Sequence, residues 1–185
     1  VWTWVPIEGA ICRDGSATGI GVRYADDGNP DNLAIYFMGG GACFNSLSCL
    51  GNPSSYDENT FGGGPGGGGV FDFSNPDNPL RNHNMIFVPY CTGDTHLGNK
   101  PGDPGNGQQQ FMGRKNVELI MDRVGPTFAD ASNVLVTGGS AGGEGAPDCR
   151  CARHDPCGQR IRLPHGRGIV SGFPGALAHG ADFRI

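Results

Sequence analysis

Three short apolar runs stand out in a chain that is otherwise dominated by glycine and polar positions. They cover residues 33–38, 85–88 and 134–137, and their sequences are LAIYFM, MIFV and VLVT. Continuous runs of this length are typical of strands that a parallel sheet buries on both faces. Residues 19–24 alternate instead and lead into a turn at 27–30. The pattern therefore predicts further strands and turns over the first 24 residues.

One helix is predicted between the second and third runs. Apolar residues recur there at the spacing of a single helical face, at Val117, Ile120, Met121 and Val124. Gly125 and Pro126 follow, and they are predicted to end the helix. The order strand, loop, strand, helix, strand predicts an α/β fold whose ligands bind at the carboxyl ends of the strands.

The long segment between the first two runs, residues 45–80, is predicted to be mostly loop. Its centre, residues 62–69, holds seven glycines in eight positions. An ordinary surface loop is favoured there over a flexible flap that covers a site. A second loop rich in glycine and proline is predicted at residues 98–107.

The composition indicates one domain with a small core. Of the 185 residues, 34 are glycine, 14 are proline and 37% are hydrophobic, so long loops are expected. No run of 18 apolar residues is present, which predicts no membrane span, and no signal peptide is predicted in this chain. Residues 1–148 carry seven Lys or Arg and 16 Asp or Glu. That acidic balance argues against nucleic acid as a partner.

The third apolar run leads directly into a glycine-rich turn with a serine at its centre. Gly138, Ser140 and Gly142 fit the pattern G-x-S-x-G, the nucleophile elbow. Small residues are needed on both sides because the serine sits in a tight turn that exposes its Oγ. The alternative is a glycine-rich turn whose serine only caps a helix.

A second glycine cluster follows the first apolar run. Gly39, Gly40 and Gly41 precede Ala42, and a loop in this position supplies an oxyanion-hole N–H in hydrolases that use a nucleophile elbow. A plain tight turn is the alternative. Because both clusters follow predicted parallel strands, they are expected at the same edge of the sheet, which favours the functional interpretation.

These motifs carry a family resemblance. The segments are MGGGAC at 38–43, Cys49, PYCTGDTHLG at 89–98 and GGSAGG at 138–143. Together they resemble the pectin acetylesterase/Notum family of carboxylesterases, most closely its bacterial branch. The resemblance implies an α/β-hydrolase fold, a Ser-Asp-His triad, hydrolysis of an oxygen ester and no cofactor. It also implies that Ser140 is the nucleophile and that the oxyanion hole consists of the N–H groups of Gly40, Gly41 and Ala141.

The same resemblance assigns roles to four cysteines, whereas two polar residues are assigned from their position after the second predicted strand. It implies disulfides Cys43–Cys49 and Cys12–Cys91, with free buried thiols as the alternative. Disulfides would indicate a secreted or periplasmic protein, since cytosolic thiols stay reduced. Asp94 and His96 are predicted at the rim of the substrate site. In the family both the acid and the base follow the serine, so His96 is predicted to be a rim or structural residue and not the catalytic base.

The resemblance stops near residue 143. Pro147 would interrupt the helix expected after the elbow, and no helical or strand periodicity follows. Residues 149–185 carry six Lys or Arg and two Asp or Glu, the opposite balance to the body. We therefore hypothesise that residues 1–143 are the first part of an α/β-hydrolase domain, incomplete at its C-terminal end, and that 144–185 are a frameshifted or disordered tail.

The tail leaves the rest of the triad unassigned. Chain order alone makes Asp155 and His179 the candidates for acid and base, and an absent triad is favoured over either. A compact set of soft ligands also lies here, at Cys149, Cys151, His154 and Cys157. Structural zinc sites place their ligand pairs farther apart, so no metal is predicted.

The predicted function is that of a serine carboxylesterase acting on acetyl or other short acyl esters, acetylated polysaccharide included. Two alternatives remain. One is a catalytically inactive fragment that at most binds a ligand, and the other is a broader short-chain esterase or lipase. The sequence favours no oligomeric state and does not distinguish a polysaccharide from an acylated protein as substrate.

Overall fold

A six-stranded mixed sheet forms the centre of the molecule. The computed structural model describes residues 1–102 and 109–146 and the backbone of one further strand at 167–170. The strands are β1 (Trp2–Ile11), β2 (Ala17–Arg23), β3 (Asn32–Phe37), β4 (Asn84–Val88), β5 (Asn133–Gly138) and β6 (Arg167–Val170). Their order across the sheet is β1-β2-β4-β3-β5-β6.

The strand directions divide the sheet into two parts. β3 pairs in parallel with β4 and β5, and β5 pairs in parallel with β6. β1 and β2 pair antiparallel, and β2 joins β4 antiparallel. The α/β class and the strands at the three apolar runs are confirmed. The prediction of a parallel sheet is wrong for β1 and β2, because a short turn joins these two strands and a parallel pair would need a long crossover.

The sixth strand lies in the segment where the sequence predicts neither helix nor strand. Residues 167–170 pair with β5 along the register that begins Asn133↔Arg167. That expectation is therefore wrong at these four positions. An unpaired sheet edge presents free N–H and C=O groups, and the backbone of β6 satisfies those of β5.

The core on one face of the sheet is aliphatic and is covered by helix α3 (Gly113–Thr127). Its members are buried side chains of the strands and of the helix, among them Ile35, Phe37, Ile86, Val88 and Ile120. The predicted helix is present but longer than expected at both ends. Pro126 lies in its last turn, and the Phe128 N–H still bonds to the Val124 carbonyl. A proline near a helix end removes only one such bond, so the helix does not end at Gly125.

The opposite face is covered by residues 45–80. This segment contains helices α1 (Ser46–Leu50) and α2 (Glu58–Phe61) and a short 3₁₀ turn at Gly69–Phe71. Its aromatic side chains pack on Tyr36 and Phe87 of the sheet, with Phe61 2% exposed. The prediction that this segment is mostly loop is confirmed, and residues 62–69 are a mostly exposed loop. Isolated aromatic residues elsewhere in the segment anchor it to the sheet.

Both disulfide pairings implied by the resemblance are present. Cys12–Cys91 joins the end of β1 to the segment after β4 and spans 79 residues of sequence. Cys43–Cys49 closes a small loop that includes part of α1. Among the helices that the structure describes, none has the length and apolar composition needed to cross a membrane.

Candidate active site

Ser140 occupies a strained turn between β5 and helix α4 (Ala141–Gly145). Its φ is 51° and its ψ is −122°, in a region that side-chain-bearing residues rarely adopt. In the described part of the chain, the other non-glycine residues with positive φ are Thr95 and His96. Such conformations cost about 1–3 kcal/mol each and persist where the surroundings enforce them. The turn leaves the Ser140 side chain exposed.

Close backbone packing explains the two glycines of the elbow. A Cβ on Gly138 would lie 2.5 Å from the Gly142 carbonyl carbon. A Cβ on Gly142 would overlap the backbone of Phe37, at the end of the neighbouring strand β3. Contacts this short with backbone atoms cannot be relieved by a side-chain rotation. The G-x-S-x-G pattern is therefore a packing requirement of this turn.

The segment 38–41 lies directly against the elbow. The Gly139 N–H donates to the Phe37 carbonyl at 3.1 Å, and a Cβ on Gly39 would lie 3.0 Å from the Ser140 Cβ. Gly41 has a φ of +76°, which favours glycine. The structure thus brings both predicted glycine clusters together at the carboxyl edge of β3 and β5.

The hydrogen bonds of this segment involve its carbonyl groups. The Gly40 carbonyl accepts from Asn52 Nδ2, and the Gly41 carbonyl accepts from the Tyr90 hydroxyl at 2.7 Å. Within the described residues, no acceptor is present for the N–H groups of Gly40, Gly41 or Ala141. These three N–H groups are the ones that the sequence assigns to the oxyanion hole.

Asn52 and Tyr90 were not identified from the sequence as site residues. Tyr90 is interpreted from the sequence as packing only, yet its hydroxyl donates to Gly41 and accepts from the Thr95 N–H at 2.8 Å. Burial raises the pKa of Tyr90 above its ordinary value, so the hydroxyl keeps its proton near neutral pH. No short-range signal marks Asn52, because its partner Gly40 lies 12 residues away.

Asp94 connects the turn after β4 to the start of α3. One carboxylate oxygen accepts from the Thr92 hydroxyl at 2.6 Å, and the other accepts from the Gly113 N–H at 2.7 Å. Gly98 and Gly113 both pack closely against this side chain. The structure therefore engages the carboxylate within the protein, and its predicted place at the substrate rim stays a prediction.

His96 lies beneath segment 38–41. It is 4% exposed, and its Nε2 is 2.9 Å from the Met38 carbonyl. Burial lowers the pKa of His96 below its ordinary value, against the opposing effects of the Met38 carbonyl and Asp94. A neutral imidazole that bonds to a carbonyl must carry its proton on Nε2. The ring is thus a donor to the Met38 carbonyl, in the segment that precedes the N–H groups predicted to form the oxyanion hole.

No described residue is positioned to act as a base for Ser140. The Ser140 hydroxyl has no hydrogen-bond partner among residues 1–102 and 109–146. His96 is bonded to Met38, and His83 precedes β4 at the opposite end of the parallel strands. The predicted triad candidates Asp155 and His179 lie outside the described residues.

An open cleft of about 940 Å³ lies next to Asn52, whose amide bonds to the Gly40 carbonyl. Ser140, Gly40, Gly41 and Ala141 are not among the described residues that line this cleft. Its lining includes Arg13, Cys43, Phe44, Asn52 and Gln109. Among the described residues, no group of three or more His, Cys, Asp or Glu could hold a metal ion. The soft ligands Cys149, Cys151, His154 and Cys157 lie outside that part of the chain.

Comparison of the sequence with known proteins finds relatives that are named as esterases. The pectinacetylesterase family model matches residues 5–151. The palmitoleoyl-protein carboxylesterase NOTUM of Mus musculus is 29% identical over 140 residues, which cover 72% of this chain and 27% of the mouse protein. Pectin acetylesterase 7 of Arabidopsis thaliana is 29% identical over 143 residues, which cover 73% of this chain and 36% of the plant protein.

The chain therefore spans only about a third of the length of the relatives it matches. The NOTUM of Homo sapiens gives the same picture, with 29% identity over 28% of its length. These animal and plant relatives do not test the bacterial-branch assignment, which stays a prediction.

Proposed function

The chain belongs to the pectinacetylesterase family, and on that premise we propose that it is a serine carboxylesterase of the α/β-hydrolase type. The observation that carries the proposal is the strained Ser140 between β5 and α4, with Gly39 packed against it. Among the described residues, the N–H groups of Gly40, Gly41 and Ala141 have no acceptor. Catalytic nucleophiles on a strand-to-helix turn have this exposed position. The substrate we propose is an acetyl or other short-chain ester, such as acetylated polysaccharide.

The proposed reaction forms an acyl-enzyme at Ser140. Its Oγ attacks the acyl carbonyl carbon while a general base takes the hydroxyl proton. The N–H groups of Gly40, Gly41 and Ala141 donate to the oxyanion of the tetrahedral intermediate. The C–O bond to the alcohol then breaks, and the alcohol leaves with the proton. Water attacks the acyl-enzyme in the same way and releases the free acid and Ser140.

The general base and its acid partner are proposed to come from outside the described residues. Asp155 and His179 follow Ser140 in the order that the family uses, and chain order is all that supports them. The hypothesis of a frameshifted or disordered tail from about residue 144 bears on this point. If the tail provides no base, the chain would be the catalytically inactive, ligand-binding fragment.

We propose that the protein works in an extracellular or periplasmic compartment. Its two disulfides, Cys12–Cys91 and Cys43–Cys49, support this location, because such cross-links persist in oxidising environments and are rare in the cytosol.

A chain-length series of p-nitrophenyl esters tests the proposed function. We expect the purified, oxidised chain to hydrolyse the acetate and butyrate with saturation kinetics. The octanoate should be hydrolysed at least about tenfold less efficiently in kcat/KM, since a single methylene that the site cannot accommodate costs about 1–3 kcal/mol. Release of acetate from acetylated pectin would extend the result to a polysaccharide.

Two outcomes would favour the alternatives. Equal or higher efficiency with the octanoate would indicate the broader esterase or lipase. Release of p-nitrophenol at the rate of a protein-free blank, by a chain that circular dichroism shows to be folded, would contradict the proposal and favour the inactive fragment.

A further inference from the structure

We propose that Tyr90 is a positioning residue that holds the oxyanion segment, residues 38–41, with Asn52 and His96 as its partners. The inference rests on the proposed esterase function and adds residues that do not touch the substrate. The Tyr90 hydroxyl links the Gly41 carbonyl to the strained turn at Thr95, through bonds of 2.7 and 2.8 Å. His96 of the same turn makes a direct bond to the Met38 carbonyl, so the Tyr90 hydroxyl is a second link between the two segments.

Hydrogen bonds from side chains fix the direction of the peptide groups in segment 38–41. Buried side chains hold the carbonyls of Met38, Gly40 and Gly41, donated to by His96, Asn52 and Tyr90 respectively. Fixing a carbonyl also fixes the N–H of the same peptide plane, which belongs to the next residue. The Gly40 carbonyl therefore orients the Gly41 N–H, and the Gly41 carbonyl, which Tyr90 holds, restrains the next peptide plane, Gly41–Ala42.

The Tyr90 ring packs directly against segment 38–41 and the His96 ring. Tyr90 is fully buried, and a Cβ on Gly40 would lie 2.6 Å from the ring carbon Cδ1. The ring thus packs against the backbone of Gly40, while the hydroxyl bonds to the Gly41 carbonyl. It also packs on the His96 ring, with centroids 4.8 Å apart.

A buried polar atom of Asn52 also supports the role of this side chain in holding Gly40. Asn52 is 6% exposed, and its Oδ1 is buried without a hydrogen-bond partner among the described residues. Leaving such an atom unpaired costs about 1–3 kcal/mol. Turning the amide over would place Oδ1 against the Gly40 carbonyl and lose the hydrogen bond from Nδ2 to that carbonyl. The amide orientation in the structure therefore leaves Oδ1 unpaired and keeps the hydrogen bond to the Gly40 carbonyl.

The Thr95–His96 turn links Tyr90 to the helix that follows the elbow. The Thr95–His96 turn has positive φ at both residues, and the Tyr90 hydroxyl accepts from the Thr95 N–H. A Cβ on Gly145 of α4 would lie 2.7 Å from the His96 Cβ. The same turn therefore contacts α4, which begins at Ala141, and the segment that contains Gly40 and Gly41. Tyr90 fixes the two halves of the oxyanion hole relative to each other.

The test is Tyr90→Phe, which keeps the ring and removes the hydroxyl. We expect kcat for p-nitrophenyl acetate to fall about 10- to 100-fold with KM within about twofold, because small displacements of oxyanion donors lower the rate more than ground-state binding. Tyr56→Phe is the matched control. Tyr56 is also buried, its hydroxyl makes no hydrogen bond within the described residues, and we expect it to leave kcat unchanged. Asn52→Leu provides a second variant with the same expected direction.

A measurement that needs no turnover separates this inference from the esterase proposal. ¹⁵N relaxation of Gly40 and Gly41 should show order parameters that fall from about 0.85 toward 0.6 in Tyr90→Phe and stay unchanged in Tyr56→Phe. Unchanged order parameters, or a kcat equal to that of the wild type, would overturn the positioning role. If the wild type itself shows no turnover, the proposed function fails, and the order parameters alone decide the role of Tyr90.

Discussion

Ser140→Ala is expected to lower kcat/KM for p-nitrophenyl acetate by about 10⁴-fold or more. Removing the nucleophile of a serine hydrolase costs about this much, and the residue of activity comes from the oxyanion hole and substrate binding. The substitution deletes a single exposed oxygen and places alanine in a turn with φ of 51°. Steady-state kinetics with both proteins at equal concentration measure the effect.

Ser55→Ala is the matched control for this prediction, because Ser55 is also exposed and lies outside the elbow and the oxyanion segment. It should retain the wild-type kcat/KM. A Ser140→Ala protein that keeps more than about a tenth of the wild-type rate would show that another group carries the hydrolysis. Thermal unfolding of each variant confirms that the comparison is between folded proteins.

The double substitution Cys12→Ala/Cys91→Ala is expected to lower the free energy of unfolding by about 2–5 kcal/mol. The chain-entropy model gives about 4.5 kcal/mol for a closed loop of 79 residues. Both cysteines are buried, so alanine leaves no unpaired polar atom in their place. Urea unfolding monitored by tryptophan fluorescence, with Trp2 and Trp4 in the sheet, gives the difference in midpoint.

Cys43→Ala/Cys49→Ala is the control for loop length. The same model gives about 2 kcal/mol for a loop of six residues, so its midpoint should fall by less than that of the first pair. An unchanged midpoint in Cys12→Ala/Cys91→Ala would contradict the account of the long disulfide. A larger loss from the short loop than from the long one would contradict the entropic explanation.

Local patterns were enough to predict the strands and the elbow. The apolar runs at 33–38, 85–88 and 134–137 correspond to β3, β4 and β5, because a strand that is buried on both faces carries apolar side chains at successive positions. Gly138 and Gly142 were also readable, since the turn tolerates no Cβ at either position. The meeting of Gly39 with Ser140 followed from the parallel order of β3 and β5.

Features that depend on contacts between distant segments could not be predicted in this way. The aromatic anchors of residues 45–80 have no periodicity, so Phe61 and Phe71 could not be distinguished from exposed loop residues before the sheet was in place. Pro126 was expected to end α3 on local rules, although the helix continues for one more residue. Tyr90 and Asn52 act on backbone carbonyls 49 and 12 residues away.

Covalent trapping of Ser140 tests the central claim most directly. Diethyl p-nitrophenyl phosphate is incubated with the wild-type chain and with Ser140→Ala, and the tryptic peptide 124–150 is examined by mass spectrometry. If Ser140 is the activated nucleophile, its Oγ forms a bond to phosphorus and p-nitrophenolate leaves. The account predicts one diethylphosphoryl group on the wild-type peptide, located at Ser140, and none on the variant. An unmodified wild-type peptide, or equal modification of both proteins at another residue, would contradict it.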